Sequence, residues 1–463
     1  VSTGPLGQVP VGEGLLRVPG PVNAHSHAFH RILRGRTHEG EAGGAGTFWT
    51  WRDQMYAAAE RLDPDGYEQL ATAVFAEMAV SGWTAVGEFH YLHHGPGGRP
   101  YGAPPAGTVS AGGPSAAQWP EHAMERALAR AAKAAGIRLV LLDTCYLRGG
   151  LDASGAPLPL NPTQARFTDG DATGWLERLA SLRAALEDEN GSVGDGAGTA
   201  GAGTTGAGRA TPGLVSLGAA IHSVRAVGEE DLAAIAAGLD AVLGAGAPLH
   251  VHLSEQPAEN AACLAATGTT PTGLLARHGL LSPRLSAVHA THLTGGDIAA
   301  LGQAQATIVM CPTTEADLAD GIGPARELAD AGAVIALGTD QHAVVDPYLE
   351  MRALEHGERL RTGIRGRFAP AELAAAAREG GLRSLGLLSR GGLPPNDDHL
   401  LVRTGSVRTL GARPAQLPLA ATAADVAAVV VDGATVARDG IHTRLGDPAE
   451  LYAAFLARHP EFA

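Results

Sequence analysis

The chain has 463 residues, 45% of them hydrophobic and 18% charged, with a formal net charge of -14 at pH 7. This composition gives a soluble protein with core enough for one large domain and a smaller one. It excludes nucleic acid as a partner, because binding phosphate takes a basic face, and any anionic ligand must be met by local arginines against the overall field.

The first twenty residues lack the basic segment and apolar core of a secretory leader, and their "LLRVPG" reads as a strand. From residue 21 onward, short apolar runs alternate with helical patterns. The strand candidates are "VNAHSHA", "TAVGEFHY", "RLVLLDTCY", "LVSLGAAIHSV", "PLHVHLSE", "LSAVHATHL", "ATIVMCPTTE" and "VIALGTDQHAV". Near-continuous hydrophobicity in runs this short suits parallel strands covered on both faces. Between the first two, "LDPDGYEQLATAVFAEMAVSG" puts Tyr67, Leu70, Ala71, Val74, Phe75 and Met78 on one helical face. Asp63 and Pro64 start that helix and Gly82 stops it. Eight strands alternating with helices predict an α/β fold, a (β/α)8 TIM-type barrel over residues 21–390. An open doubly wound sheet is the rival, but no GxGxxG follows the first strand.

Two stretches interrupt the alternation. Residues 95–119 form a Pro/Gly-rich loop on the strand-end face, where a lid would lie, and residues 190–213 read as a flexible Gly/Ala/Thr-rich insertion. Near the end, "VAAVVVDGATVARDGIH" reads as a hairpin about a DG turn. Residues 1–20 and 391–463 are thus expected to build a small β-domain with a terminal helix. With so few residues before the first barrel strand, that domain is expected to be incomplete. No run of about 20 apolar residues is present to span a membrane. The three cysteines, Cys145, Cys263 and Cys311, are too scattered for a disulfide framework or a CxxC module. A cytoplasmic protein is expected, with no membrane partner and with a homodimer left open.

Polar residues gather at the C-terminal ends of these strands: His25, His27, Glu88, His90, His222, Arg225, His250, His252, Glu255, His289, His292 and Asp340. One buried histidine is usually structural. Many at equivalent strand ends point to a site, because a barrel of this kind carries its chemistry on that face. Residues i and i+2 of a strand point the same way, about 7 Å apart, so the HxH pair His25 and His27 can meet one ion. Of His250 and His252, the second lies nearer the strand end and is read as the ligand. Asp340 ends the last strand. Three histidines and a carboxylate suit one divalent ion, with zinc the leading candidate and a position left for water. A bridging carbamylated lysine on the fourth strand would mark a two-metal site, but the one lysine, Lys133, falls on a helix.

At this point the chain resembles the amidohydrolase superfamily and, within it, the formimidoylglutamate deiminases of histidine degradation. "NAHSHAFHRILRGRT", "GTFWTWRDQMY", "GEFHYLHH", "AAIHSVRAV", "LHVHLSEQPAEN", "VHATHLT", "CPTTEADLADGIGP" and "LGTDQHAV" carry the resemblance. It implies His25, His27, His252 and Asp340 as metal ligands, and Glu255, His289 and Asp340 as the groups that work on water. It implies Tyr91, His222 and Arg225 as substrate-binding, and hydrolysis of N-formimino-L-glutamate, a small acidic substrate, to N-formyl-L-glutamate and ammonia. One departure falls at His30, where the family has a substrate-contacting glutamine. His30 could still donate a hydrogen bond, with a charge expected to depend on pH.

Blander readings stand beside these. Arg31, Arg34 and Arg36 could steer an anion or be a solvated loop, and His93 and His94 read as loop residues. Trp49 and Trp51 could form a lid or pack on the barrel top, and Cys311 reads as a core thiol. A deaminase of aromatic heterocycles is the enzymatic alternative. A non-catalytic metal-binding protein is the other, although it would have no use for Glu255 and His289.

Overall fold

A computed structural model of the protein describes residues 7–12, 14–38, 46–103, 119–191, 213–388 and 398–463. The eight apolar runs become parallel strands: β1 (Val22–Ser26), β2 (Ala85–His90), β3 (Arg138–Cys145), β4 (Val215–Ile221), β5 (Leu249–Leu253), β6 (Leu285–His289), β7 (Thr307–Met310) and β8 (Val334–Leu337). Each pairs with its neighbours in chain order, and all but β4 and β8 are buried at every residue.

The sheet closes on itself at β1 and β8. Ser26 bridges Asp340 in parallel register. The His27 N–H donates to the Asp340 carbonyl at 3.1 Å, and the N–H groups of Thr339 and Asp340 donate to the His25 carbonyl at 3.0 Å. Gly338 permits the approach, since a Cβ there would sit 2.8 Å from that of His25. Barrel closure thus clamps together three of the residues read as metal ligands.

Helices cover the outside. In α1 (Pro64–Ser81), the Asp63 side chain accepts the Gly66 N–H at 2.8 Å, and Gly82 ends the helix at φ 112°. The six apolar residues of its predicted face are all fully buried. Burial of side chains this size stabilises by roughly 1.5–3 kcal/mol each, which fixes the helix against the barrel.

Both chain ends meet in a second, antiparallel sheet. Its strands run in the order Val9–Gly12, Leu15–Pro19, His399–Arg403, Val426–Val431, Ala434–Arg438 and Ile441–His442. The predicted DG turn is present, with Asp432 and Gly433 both at positive φ (52° and 76°), as a two-residue type I′ hairpin requires. No helix of the described residues is long and apolar enough to cross a membrane. Most of the expected insertion (192–212) and of the expected lid (104–118) lies outside the described residues.

Candidate metal centre and active-site pocket

At the C-terminal mouth of the barrel the four expected ligands converge. His252 Nε2 lies 3.2 Å from His25 Nε2 and 3.4 Å from His27 Nε2, and Asp340 Oδ1 lies 3.4 and 3.5 Å from the same two nitrogens. A tetrahedron with arms of about 2.0–2.1 Å, the Zn–N and Zn–O range, has edges of about 3.3–3.4 Å. The second ring nitrogens show which atoms face inward. His27 Nδ1 donates to the Phe89 carbonyl at 2.8 Å and His252 Nδ1 to the His222 carbonyl at 3.0 Å, so each Nε2 carries a lone pair. Burial, reinforced by the neighbouring histidines, holds His25 and His252 well below the ordinary imidazole range; burial first and then His25 take His27 to about 3. Unprotonated nitrogens and a carboxylate crowded at this spacing repel one another unless a cation lies between them. The donor set fits a single divalent ion.

A second group of acids borders it. His289 ends β6 with its Nε2 3.6 Å from Glu255 Oε1 and 3.8 Å from Asp340 Oδ2, and its Nδ1 3.5 Å from Glu315 Oε1. Burial pushes this imidazole down, but Glu255, Glu315 and Asp340 outweigh it and raise it to about 10, so the ring is cationic. Burial raises Glu255, against His289 and Arg225, which lower it, so its carboxyl retains a proton more readily than an exposed one. Glu315 is itself anchored by the Cys311 N–H at 2.8 Å. Ser254, His289, Ala290, Asp340 and His342 all adopt positive φ at this mouth. Non-glycine residues in that region store strain of order 1–3 kcal/mol each, and they cluster at functional sites.

The cavity beside the four ligands has a volume of about 640 Å3, open mouth included, and is bounded by His30, Trp51, Tyr91, His222, Arg225 and Glu255 among others. All the sequence-predicted substrate residues therefore reach one pocket. The geometry adds to one expectation and corrects another. Arg225 is not a free charge: it lies 3.8 Å from Glu255 and 3.5 Å from the buried Glu259. His30 does not titrate near neutrality, because burial and then His27 hold it well below the usual range; its Nε2 lies 3.0 Å from the Tyr91 hydroxyl.

Sequence reasoning missed Arg52, which lines the same pocket from the helix Phe48–Arg61. Its guanidinium lies 4.6 Å over Trp49 and 5.7 Å from Tyr56, its Nε is buried without a partner, and it has no carboxylate partner among the described residues. Trp51 is buried against the pocket, whereas Trp49 is exposed. Glu259 and Glu315 were also missed; each stands four residues beyond a residue of the site region, a spacing that brings side chains together on a helix.

Other candidates fall elsewhere. His90 and His93 join Glu125 below the mouth, but His93 bonds through both ring nitrogens, to Glu125 at 2.8 Å and to the Thr144 carbonyl at 2.9 Å, which leaves no lone pair for a metal. Glu88 lies behind the metal set, accepting the Ser26 hydroxyl at 2.6 Å and the Ala28 N–H at 2.5 Å. His250 reaches down to the Ser384 carbonyl at 3.0 Å, as a lower-layer residue should, and His292 bonds the Asp320 carbonyl at 2.8 Å. Arg31 and Arg34 pair with Glu77 at 3.0 and 2.6 Å, and Arg36 bonds the Phe462 carbonyl, so these arginines fasten the loop. Cys311 is buried and unpaired.

Comparison with known proteins agrees with this architecture. The model of the Amidohydrolase family matches residues 16–393. A formimidoylglutamate deiminase from Pseudomonas aeruginosa is 34% identical over 377 residues, covering 80% of this chain and 72% of that one. An 8-oxoguanine deaminase from the same organism is 28% identical over 452 residues, covering 96% and 85%. Among solved structures, an amidohydrolase from Brucella melitensis superposes with a TM-score of 0.76 at 28% identity, over 96% of this chain and 89% of its own.

Proposed function

The chain belongs to the amidohydrolase family, and from that premise we propose that it hydrolyses N-formimino-L-glutamate to N-formyl-L-glutamate and ammonia in the cytoplasm, as a step of histidine degradation. Its coarser activity, that of an amidohydrolase-family deaminase, follows from the comparisons. The finer reading is supported by one observation above the rest. Two guanidiniums, Arg225 and Arg52, share the cavity with the metal set, and Arg52 has no acidic partner of its own among the described residues. A half-buried cation of this kind, facing the pocket, suits a substrate carboxylate bound through the planar guanidinium fork.

His25, His27, His252 and Asp340 would hold one divalent ion, for which we propose zinc. That ion supplies Lewis acidity and brings the pKa of water toward about 7. The chain's own groups do the rest. Asp340 accepts the proton of the attacking water through Oδ2. His289, held cationic by three carboxylates, donates from Nε2 and so orients the oxygen toward the formimino carbon. Water adds there as Glu255 passes its proton to the terminal nitrogen; the C–N bond then breaks, that nitrogen takes the proton held on Asp340 and leaves as ammonia, and the hydroxyl proton returns to Glu255 as the carbonyl of the N-formyl product forms. Tyr91, His222 and His30 line the substrate's path, and His30 acts as a neutral hydrogen-bonding group.

A planar heterocycle is the competing substrate, favoured by the aromatic wall of Trp51, Tyr91 and Tyr146. It would leave the charge of Arg52 unmet. The deciding experiment measures ammonia release from N-formimino-L-glutamate by zinc-loaded protein, with 8-oxoguanine and a thioadenosine alongside. Release from the first, abolished by a chelator and restored by zinc, supports the reading; no release with zinc bound refutes it.

A further inference from the structure

Gln164 is buried beside the pocket, and its neighbours fix which way its amide points. The Asn161 N–H donates to Gln164 Oε1 at 2.9 Å, while the Gln164 N–H donates to Asn161 Oδ1 at 2.8 Å. The other end, Nε2, therefore faces the two phenols, Tyr56 at 2.9 Å and Tyr146 at 2.8 Å, with the Gly149 carbonyl a more distant acceptor at 3.5 Å. An amide NH2 can only donate. Both phenolic oxygens accept from it, and the proton of each phenol must point somewhere else. The two hydroxyls are 3.4 Å apart, so one can donate to the other. Neither has another partner among the described residues, and both rings line the cavity. At least one O–H is thus left facing the cavity. Burial pushes the Tyr146 phenol up, which keeps it protonated and a donor.

We propose that Gln164 is a positioning residue that turns Tyr56 and Tyr146 into hydrogen-bond donors for the carboxylate end of the substrate. The acidic arm is then read by a phenol as well as by Arg52 and Arg225, and selectivity for an acid depends on the polarity of a side chain that never touches it. The proposal rests on the acidic-substrate reading given above.

Gln164→Glu tests it with little change of shape. A carboxylate accepts where the amide donated, so it draws both phenolic protons out of the cavity. The measurements are glutarate binding by calorimetry and steady-state kinetics on N-formimino-L-glutamate, both on the zinc-loaded full chain, with thermal unfolding to check that each variant folds. Gln164→Glu should weaken glutarate at least tenfold and place its kinetic loss on KM rather than kcat. In a Tyr56→Phe/Tyr146→Phe background, the same change should add less than twofold, because no phenolic proton remains to redirect. Binding within twofold of wild type in folded Gln164→Glu, an undiminished loss in the double-phenylalanine background, or no glutarate binding by wild type overturns the proposal. Should Gln164→Glu fail to fold, the phenylalanine pair alone must weaken glutarate, and unchanged binding overturns it. Wild type that binds glutarate and shows these losses, yet releases no ammonia, refutes the substrate assignment and leaves the role of Gln164 standing.

Discussion

Arg52→Met and Arg225→Met should fail in different ways, although both remove a guanidinium from one pocket. Arg52 faces no carboxylate among the described residues, so its loss strands none of them. The cost is one charge-assisted contact to the substrate, about 1.5–3 kcal/mol, which converts to roughly a 10–150-fold rise in KM. Arg225 stands 3.8 Å from Glu255 and 3.5 Å from Glu259. At an effective dielectric of about 20, ion pairs at those distances are worth roughly 4–5 kcal/mol each before desolvation is charged against them. Removing Arg225 takes one of two nearby cations from both buried carboxylates and leaves His289, 3.6 Å from Glu255, to compensate them alone. Burial already raises Glu255, and Arg225 is one of the two groups that lower it. Without that cation Glu255 keeps its proton to higher pH, so the limb of the pH–rate profile on which it must be protonated moves upward, while as a weaker acid it delivers that proton more slowly and kcat falls. The assay is ammonia release from N-formimino-L-glutamate across pH 6–9, with kcat and KM resolved separately. Arg52→Met should act on KM with the profile in place, while Arg225→Met should act on both parameters and shift the profile. An unchanged KM in the first, or an effect confined to KM in the second, refutes the reasoning.

Three further outcomes follow from the same geometry. Glu255→Gln should bind zinc with wild-type stoichiometry and lose at least 100-fold in kcat, as expected of a general acid–base group; wild-type turnover would remove Glu255 from the proton path. Chelation should lower the melting temperature by several degrees as well as stop turnover. An ion present at about 1,000 times its Kd stabilises by roughly 4 kcal/mol, and an unmoved melting curve would show that no ion bridges the four ligands. Glu350, buried and bonded to Thr313 through its hydroxyl (2.5 Å) and N–H (3.2 Å), is raised by burial from 4.5 to about 8. Because the folded chain holds that proton more tightly than the unfolded one, its contribution is intact below pH 4.5 and is lost as pH rises toward 8. Glu350→Gln should therefore lose less stability than wild type between pH 5 and 9, by up to a few kcal/mol in thermal or urea unfolding; equal losses would place the titration elsewhere.

What the sequence made legible was whatever repeats or sits at a strand end. The eight barrel strands declare themselves as short apolar runs, and His25, His27, His252, His289 and Asp340 stand at the points where those runs stop. The helical face from Tyr67 to Met78 follows from spacing alone. Arg52 does not, because it lies inside a helix between aromatic residues and nothing in the local pattern separates a pocket-facing arginine from a solvated one. The neutrality of His30 is equally invisible. It comes from burial and from His27, His342, His25 and His222, which the fold gathers from distant parts of the chain. Arg225 is the converse case, since its place was legible but its partners were not, and the partners change what its removal should do.

Gln164 extends that lesson from charge to polarity. Composition and motif place donors and acceptors in a pocket without saying which way a hydroxyl proton points, and here a backbone N–H on Asn161 decides it through a side chain outside every motif. The strained positions of the mouth argue in the same direction. His289 and Asp340 hold φ values of 68° and 43°, a region where glycine would be at ease and where a side chain costs stability. A chain selected for stability alone would place glycine at both. Histidine and aspartate occupy them because the turn at each strand end aims a ring nitrogen and a carboxylate into the barrel mouth. The strain is therefore part of how the proposed metal set and proton path would be held in register.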